Sequence, residues 1–399
     1  MLDNVPTHVR PELVWNHDLA TFVSELDDPY ASYGRLHDGP DVVWAPLAMR
    51  GRAGWLVTRY ELMAEIMMDP ERFSSAEGFD VCDLLGVDWR LSPLEIDPPR
   101  HRALRMVLHP WFQPAALGKI EAMVREVARR LLAEIKDDGG CEFVGAFSSP
   151  FPSNIFLTIL GLPQESRLQF LDWENAFIHS PIVEERVTAI RTIRSYLEDY
   201  MQARRGDLRD DLVDVILTAQ VDGRPLDQGE IMGMCMNLYL GGLDTITSSL
   251  GWYFRHLALD PALQARLRAN PSEIPAAIDD MLRAYGVVTT SRTVIRDLEF
   301  HGVAMKAGDR ILLPTQLAGR DSRQFSQPEV VDPARKPRHL TLGTGIHNCL
   351  GAHLARREIK IAFEEWLARF ENIRIPDGET AELSTSGVWA VSRLPLVWG

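Results

Sequence analysis

Along most of this chain apolar positions recur every three to four residues, the period of an amphipathic helix; only short stretches alternate as a strand does. The helical period covers about 59–69, 114–136, 153–160, 165–176, 182–205, 211–220, 228–259, 261–269, 273–285 and 351–370. Strand patterns are brief: 42–44, 56–58, 293–296, 310–313 and 396–398, with Gly302 and Gly308-Asp309 as turn residues. Asp97-Pro98-Pro99 reads as a helix cap followed by prolines that a first turn tolerates. From 74 to 90 the pattern fades, broken by Gly78, Asp80, Asp83, Gly86 and Asp88. A long loop with at most a short helix is expected there, and such loops often carry function. The pattern predicts a mainly α protein with a minor β portion. No linker, repeat or low-complexity stretch divides it, so residues 1–399 are expected to form a single domain.

One helix stands apart. Asp227 and Glu230 are spaced as a capping box, and the run that follows, through Ile231, Met234, Met236, Leu238 and Leu240, is apolar nearly all round. That marks a buried helix, and 228–259 would span roughly 45 Å. In its middle stand Gly241, Gly242, Asp244 and Thr245. Each glycine costs about 1 kcal/mol relative to alanine. Close approach of another body, or a local opening of the helix, is expected to offset that cost.

A second stretch concentrates chemistry: Leu342-Gly343-Thr344-Gly345-Ile346-His347-Asn348-Cys349-Leu350-Gly351. Its glycines permit backbone angles closed to other residues. Leu350 and Gly351 open the final long helix, so Cys349 falls at a helix N-terminus, where the dipole favours a thiolate. Three chemistries fit: an inert buried cysteine, a zinc site shared with His339, His347 and His353, or an axial thiolate to haem iron.

The formal charge of −14 argues against a general nucleic-acid binder. Cys82, Cys141, Cys235 and Cys349 are scattered with no paired spacing, which fits a reducing cytoplasm rather than a disulfide framework. No apolar run approaches membrane-spanning length, and Met1–Pro6 lacks the pattern of a signal peptide, so a cytoplasmic protein without a membrane anchor is expected.

The spacing Gly343-x-Gly345-x-His347-x-Cys349-x-Gly351 resembles the cysteine loop of the haem-thiolate monooxygenases, the cytochromes P450, and Gly241–Thr245 resembles that family's oxygen-binding helix. The likeness runs over nearly the whole chain. It is closest to the soluble bacterial camphor-hydroxylase group, through Gly241–Thr245, Asp97-Pro98-Pro99 and Leu354-Ala355-Arg356-Arg357-Glu358-Ile359. The resemblance implies a P450 fold with haem b between the long central helix and the helix after the cysteine loop. It implies Cys349 as the iron ligand, His101, Arg105, Arg292 and His347 as donors to the propionates, and Asp244 and Thr245 as the catalytic proton-delivery pair. It further implies a substrate pocket of Phe79, Trp89, Asn237, Leu240, Val288, Val388 and Trp389.

The expected reaction is hydroxylation of an unactivated C–H bond in a small apolar, terpenoid substrate by O2. The chain holds no electron source of its own, so a 2Fe–2S ferredoxin with its reductase is expected, docking on Arg102, Arg105, Arg356, Arg357 and Lys360. The rivals are a peroxide-driven oxygenase or nitric-oxide reductase on the same fold, and a non-catalytic haem sensor or storage protein. Three positions depart from the family pattern. Asp280 replaces the glutamate paired with Arg283, Leu342 a phenylalanine beside the sulfur, and Thr290 an aspartate near a propionate. The shorter Asp280 requires its ion pair to be drawn closer or bridged by water.

Overall fold

The computed structural model describes residues 5–17, 28–49, 52–135 and 139–399. Strands β1 (Val42–Met49) and β2 (Arg52–Val57) form a hairpin that sets Trp44 opposite Trp55. Helix α1 (Tyr60–Met68) and the two-residue β3 (Phe73–Ser74) follow. The sheet is completed from far down the chain by β4 (Thr289–Val294) and β5 (Arg310–Pro314), in the order β1-β2-β5-β4-β3. β5 runs parallel to β2, with Ile311 beside Trp55, and antiparallel to β4, with Ile311 beside Arg292. A parallel pair needs a crossover, and here the helical body is that crossover. Side-chain alternation sends Trp44, Trp55 and Val57 into the main core and leaves Val43, Ala45, Leu56 and Leu312 as a small cluster of their own.

The helical body begins with α2 (Val81–Leu85), the one short helix inside the weakly patterned stretch, then α3 (Arg100–Leu108) and α4 (Pro114–Glu134). It continues with α5 (Pro150–Leu160), α6 (Arg167–His179), α7 (Val183–Arg204) and α8 (Leu212–Thr218). Next come α9 (Gln228–Gly242), α10 (Asp244–Leu259), α11 (Pro261–Ala269), α12 (Ile274–Ala284) and, after the cysteine loop, α13 (Ala352–Arg369). No helix among the described residues is long and apolar enough to cross a membrane. α4 and α13 lie side by side, joined by Arg125 to Glu364 (2.7 Å) and Glu365 (2.6 Å). Beneath them Trp366 meets Phe254 at 5.2 Å and Phe143 stacks on Phe254 at 4.3 Å. Such aromatic pairs add about 0.5–1.5 kcal/mol each beyond the area they bury.

The expected continuous helix over 228–259 is broken. Its capping box forms as expected, with the Glu230 N–H donating to Asp227 at 2.8 Å and the Asp227 N–H to Glu230 at 3.1 Å. The helix is then interrupted at Leu243, whose φ of −100° and ψ of −55° distort the right-handed turn, and α10 starts at Asp244. Both expected compensations for the glycines are present. A Cβ on Gly242 would lie 2.3 Å from the Phe156 ring of α5, so only glycine admits that contact. At the opening, Thr245 Oγ1 donates back to the Gly241 carbonyl at 3.1 Å.

Several boundaries differ from the sequence pattern. β4 begins at Thr289 rather than 293, because Thr289–Arg292 pair with β5 although their polar side chains carry no alternation. The helix expected over 114–136 ends at Glu134, and Lys136 lies outside the described residues, as do Met1–Asn4. Asp97 is not a side-chain cap: its carboxylate accepts from the Ser75 N–H at 2.9 Å and from Ser74 Oγ, tying β3 to the start of α3.

The shortened pair closes directly. Arg283 Nε reaches Asp280 at 2.8 Å and Nη2 at 3.0 Å, with both side chains fully buried. Arg283 also donates to the carbonyls of Gly319 (3.1 Å), Pro328 and Val330 (2.8 Å). Asp280 accepts from the Asp332 N–H at 2.6 Å and from Arg335 Nε at 3.2 Å. The pair thus clamps the irregular chain that leads into the cysteine loop.

Candidate active site

Gly343 (φ +67°) and Gly345 (φ +71°) both take the left-handed backbone that other residues avoid. A Cβ on Gly345 would lie 2.8 Å from the Met67 carbonyl oxygen, so glycine lets the loop press on the end of α1. The Cys349 N–H closes the loop on the Leu342 carbonyl at 2.7 Å. Cys349 has accessible surface, yet protein crowds it from enough directions to desolvate it. Burial pushes its thiol pKa up, while the Gly351 N–H and the charges of Arg105 and Arg356 pull it down by less. The donors near the helix start favour a thiolate as expected, and burial opposes them. α13 starts three residues later, at Ala352, and desolvation outweighs the donors. A cation bound at the sulfur reverses that balance outright.

Around this loop the structure brings together all four expected donors. The rings of His101 and His347 lie 4.3 Å apart. Arg105 donates to the Asn348 carbonyl at 2.7 Å. His347 is held down to about 3, first by burial and then by the nearby charges of His101, Arg292 and Arg105. Arg292 is 7% exposed, and burial lowers its pKa to about 10. Its Nη1 donates to the Ser291 carbonyl at 2.7 Å. Nε2 of His101 and of His347 are buried without a hydrogen-bond partner. Four nitrogen-bearing side chains converge with no carboxylate in salt-bridge reach among the described residues, Asp97 acting on His101 and Arg292 only at longer range, and each unpaired buried donor costs about 1–3 kcal/mol. The set fits a bound group carrying acidic oxygens, and a porphyrin with two propionates has that chemistry. No three His, Cys, Asp or Glu side chains are grouped for a metal ion among the described residues, so the zinc alternative with His339, His347 and His353 finds no cluster.

Beside the break in the long helix lies a cavity of about 180 Å3. Five of the seven expected pocket residues line it: Phe79, Asn237, Leu240, Val288 and Val388. Gly241 and Thr245 line it as well. Trp89 and Trp389 do not. A Cβ on Gly229 would lie 2.9 Å from Trp89 Cβ, so Trp89 packs on the first turn of α9. Trp389 is 2% exposed and packs edge-on to Tyr30 and tilted against Tyr33, its carbonyl accepting from Trp252 Nε1 at 3.0 Å. Glu95 organises the loop over the cavity, its carboxylate taking the Phe79 N–H at 2.8 Å and the Leu91 N–H at 3.1 Å.

Asp244 has neighbours that the sequence pattern did not single out. His179 Nε2 lies 3.2 Å from its Oδ1, and the Asp244 backbone N–H points at the Glu174 carboxyl. Glu174 is 2% exposed, and burial, then the charge of Asp244, holds its pKa well above the carboxylate range. A signal was available: Phe170, Glu174, Phe177 and Ile178 occupy the buried stripe of α6, so the acid interrupts an otherwise apolar face.

A loop that presents one sulfur, a ring of donors for acidic oxygens and a mostly apolar cavity beside a helix break fit a cofactor-bearing oxidation catalyst. Comparison with known proteins agrees. The family model described as Cytochrome P450 matches residues 153–390. The chain is similar to the probable cytochrome P450 127A1 of Sinorhizobium fredii, at 34% identity over 99% of this chain and 97% of that protein. It is also similar to cytochrome P450-terp of a Pseudomonas species, at 30% identity over 88% and 90%. Among solved structures, that of CYP101J2 superimposes with a TM-score of 0.88, at 33% identity and 99% coverage of both chains. The chain belongs to the cytochrome P450 family. It is a cytochrome P450 monooxygenase, and its cofactor is haem b, which the family binds through a cysteine thiolate.

Proposed function

We propose that this monooxygenase hydroxylates an unactivated C–H bond of a small apolar terpenoid, consuming O2, two electrons and two protons and releasing the alcohol and water. The observation that carries the reading is the pairing of a donor-ringed Cys349 loop with an apolar cavity that Thr245 and Gly241 line. Cys349 is the residue that would hold the iron, and His101, Arg105, Arg292 and His347 the residues that would neutralise the propionates. The haem, when bound, supplies oxygen activation. The chain's part is to keep water from the cavity and to place protons. Thr245 Oγ1 sits at the cavity wall, bonded to the Gly241 carbonyl, and its proton is free to be redirected into the cavity when that bond swings away. Asp244, one residue before it and paired to His179, would restore the proton. The name of cytochrome P450-terp supports the terpenoid class.

Electrons would come from a 2Fe–2S ferredoxin and its reductase. The expected basic docking patch is interleaved with acids: Arg356 pairs with Asp279 (2.8 Å), Arg357 with Glu121 (2.7 Å) and Lys360 with Glu364 (2.7 Å). Arg102 is left exposed, and a weaker charge steering than an unpaired patch would give follows from that pairing. The test is turnover with a reconstituted ferredoxin chain. NADH consumption matched by a hydroxylated terpenoid supports the reading. Turnover only with peroxide moves it to the peroxide-driven rival, and no turnover with either leaves the haem sensor. Separately, a reduced carbon-monoxide spectrum of imidazole type would refute Cys349 as ligand.

A further inference from the structure

We propose that the substrate carries a carboxylate, which docks on Arg310 at the cavity wall while its apolar body extends toward Thr245. The inference rests on reading this cavity as the substrate pocket. The cavity is otherwise mostly apolar, and its charged lining is limited to Arg52, Asp80 and Arg310. Asp80 is committed, since Arg186 Nη2 reaches it at 2.6 Å. Arg52 reaches Asp83 at 3.4 Å. Arg310 has no carboxylate within salt-bridge distance among the described residues, and its guanidinium makes a long bond, Nη2 to the Glu77 carbonyl at 3.4 Å. Burial depresses its pKa and the neighbouring Arg52 adds to that, while the longer-range charges of Asp80, Asp83 and Glu77 oppose it.

A partly desolvated cation is costly unless it gains a partner. The packing explains only its stem: a Cβ on Gly54 would lie 3.3 Å from Arg310 Cβ, so the β-sheet register accounts for the aliphatic part and not for the guanidinium. Apolar walls strengthen an ion pair formed at their edge, and guanidinium matches a carboxylate with two parallel hydrogen bonds. The cavity lining thus holds both a cation with no carboxylate in salt-bridge reach among the described residues and Thr245 beside the helix break. A substrate anchored by an acid group would be held in one direction between them.

The test compares geranic acid, methyl geranate and geraniol, with lauric acid and methyl laurate as a second pair, by calorimetry and spin-state spectra on the haem-loaded enzyme. The expected result is an acid that binds roughly tenfold tighter than its ester at low salt, an advantage lost in Arg310→Gln and eroded by added salt. Parity of acid and ester, or an advantage that survives Arg310→Gln, overturns the proposal. Should Arg310→Gln lower the thermal midpoint, Arg310→Met keeps the apolar stem and carries the same comparison. Geraniol binding with acid–ester parity leaves the terpenoid reading and removes this one. An acid advantage confined to the lauric pair, with no terpenoid bound, does the reverse, and no binding by any probe removes both.

Discussion

Replacing Asp280 by alanine tests the clamp that precedes the cysteine loop. In the native chain its carboxylate takes two bonds from Arg283, one from the Asp332 N–H and one from Arg335. Asp280→Ala leaves Arg283, fully buried, with only the carbonyls of Gly319, Pro328 and Val330. Breaking a buried pair by removing one partner costs about 3–5 kcal/mol. With an unfolding entropy of about 2.1 cal/mol/K per residue, a chain of this length loses roughly 1.2 °C per kcal/mol, so the midpoint should fall by about 4–6 °C. Asp280→Glu, although it adds back the methylene, must fit into a site with no exposed surface and should lose about 1–3 kcal/mol by overpacking. The assay is thermal or denaturant unfolding of the haem-loaded enzyme in a double-mutant cycle with Arg283→Ala. A coupling of about 2 kcal/mol or more is expected. A midpoint within about 1 °C of wild type for Asp280→Ala, or strict additivity with Arg283→Ala, would refute the clamp.

Three further outcomes follow from the geometry. Gly242→Ala drives a Cβ into the Phe156 ring and should cost about 1–3 kcal/mol while shifting the helix break, read as a lowered unfolding midpoint and a changed ligand-binding spectrum; an unchanged midpoint counts against the close packing. Glu95→Ala strands the N–H groups of Phe79 and Leu91, so amide exchange at both should accelerate by at least tenfold while α13 is unaffected. Burial raises the Glu230 pKa, but hydrogen bonds from Arg224 and Arg100 outweigh it and bring the pKa down to about 2. A depressed carboxylate stabilises the fold above its unfolded value, near 4.5, and loses that contribution as pH falls toward 2. Glu230→Gln should therefore flatten the acid limb of a stability–pH curve between those values, and an unaltered limb would show that the capping box contributes nothing there.

How much of this was legible in the chain differs by kind of feature. The cysteine loop, its two left-handed glycines and the capping box at Asp227 are local, so spacing and residue type reveal them directly. The helical content was legible for the same reason, since a 3.6-residue period needs no knowledge of what lies opposite. The break at Leu243 was only half legible. Two glycines announced a cost, but the Phe156 ring that makes Gly242 necessary comes from α5, a distant part of the chain.

Long-range facts were decided by tertiary structure alone. Trp89 and Trp389 both look like pocket residues by position, yet one packs on Gly229 and the other in the Tyr30–Tyr33 core. Asp280 looked too short for its arginine, and the helix geometry plus the Asp332 N–H closes the pair without water. Cys349 stands at a helix terminus by sequence, but the sign of its pKa shift depends on desolvation by residues that no spacing reveals. Glu174 and His179 meet Asp244, and Arg310 has no carboxylate within salt-bridge distance among the described residues, only because helices and strands remote in sequence pack together. Local chemistry is written in residue order. Which charges are matched, and which groups are dry, depends on every element that packs against them.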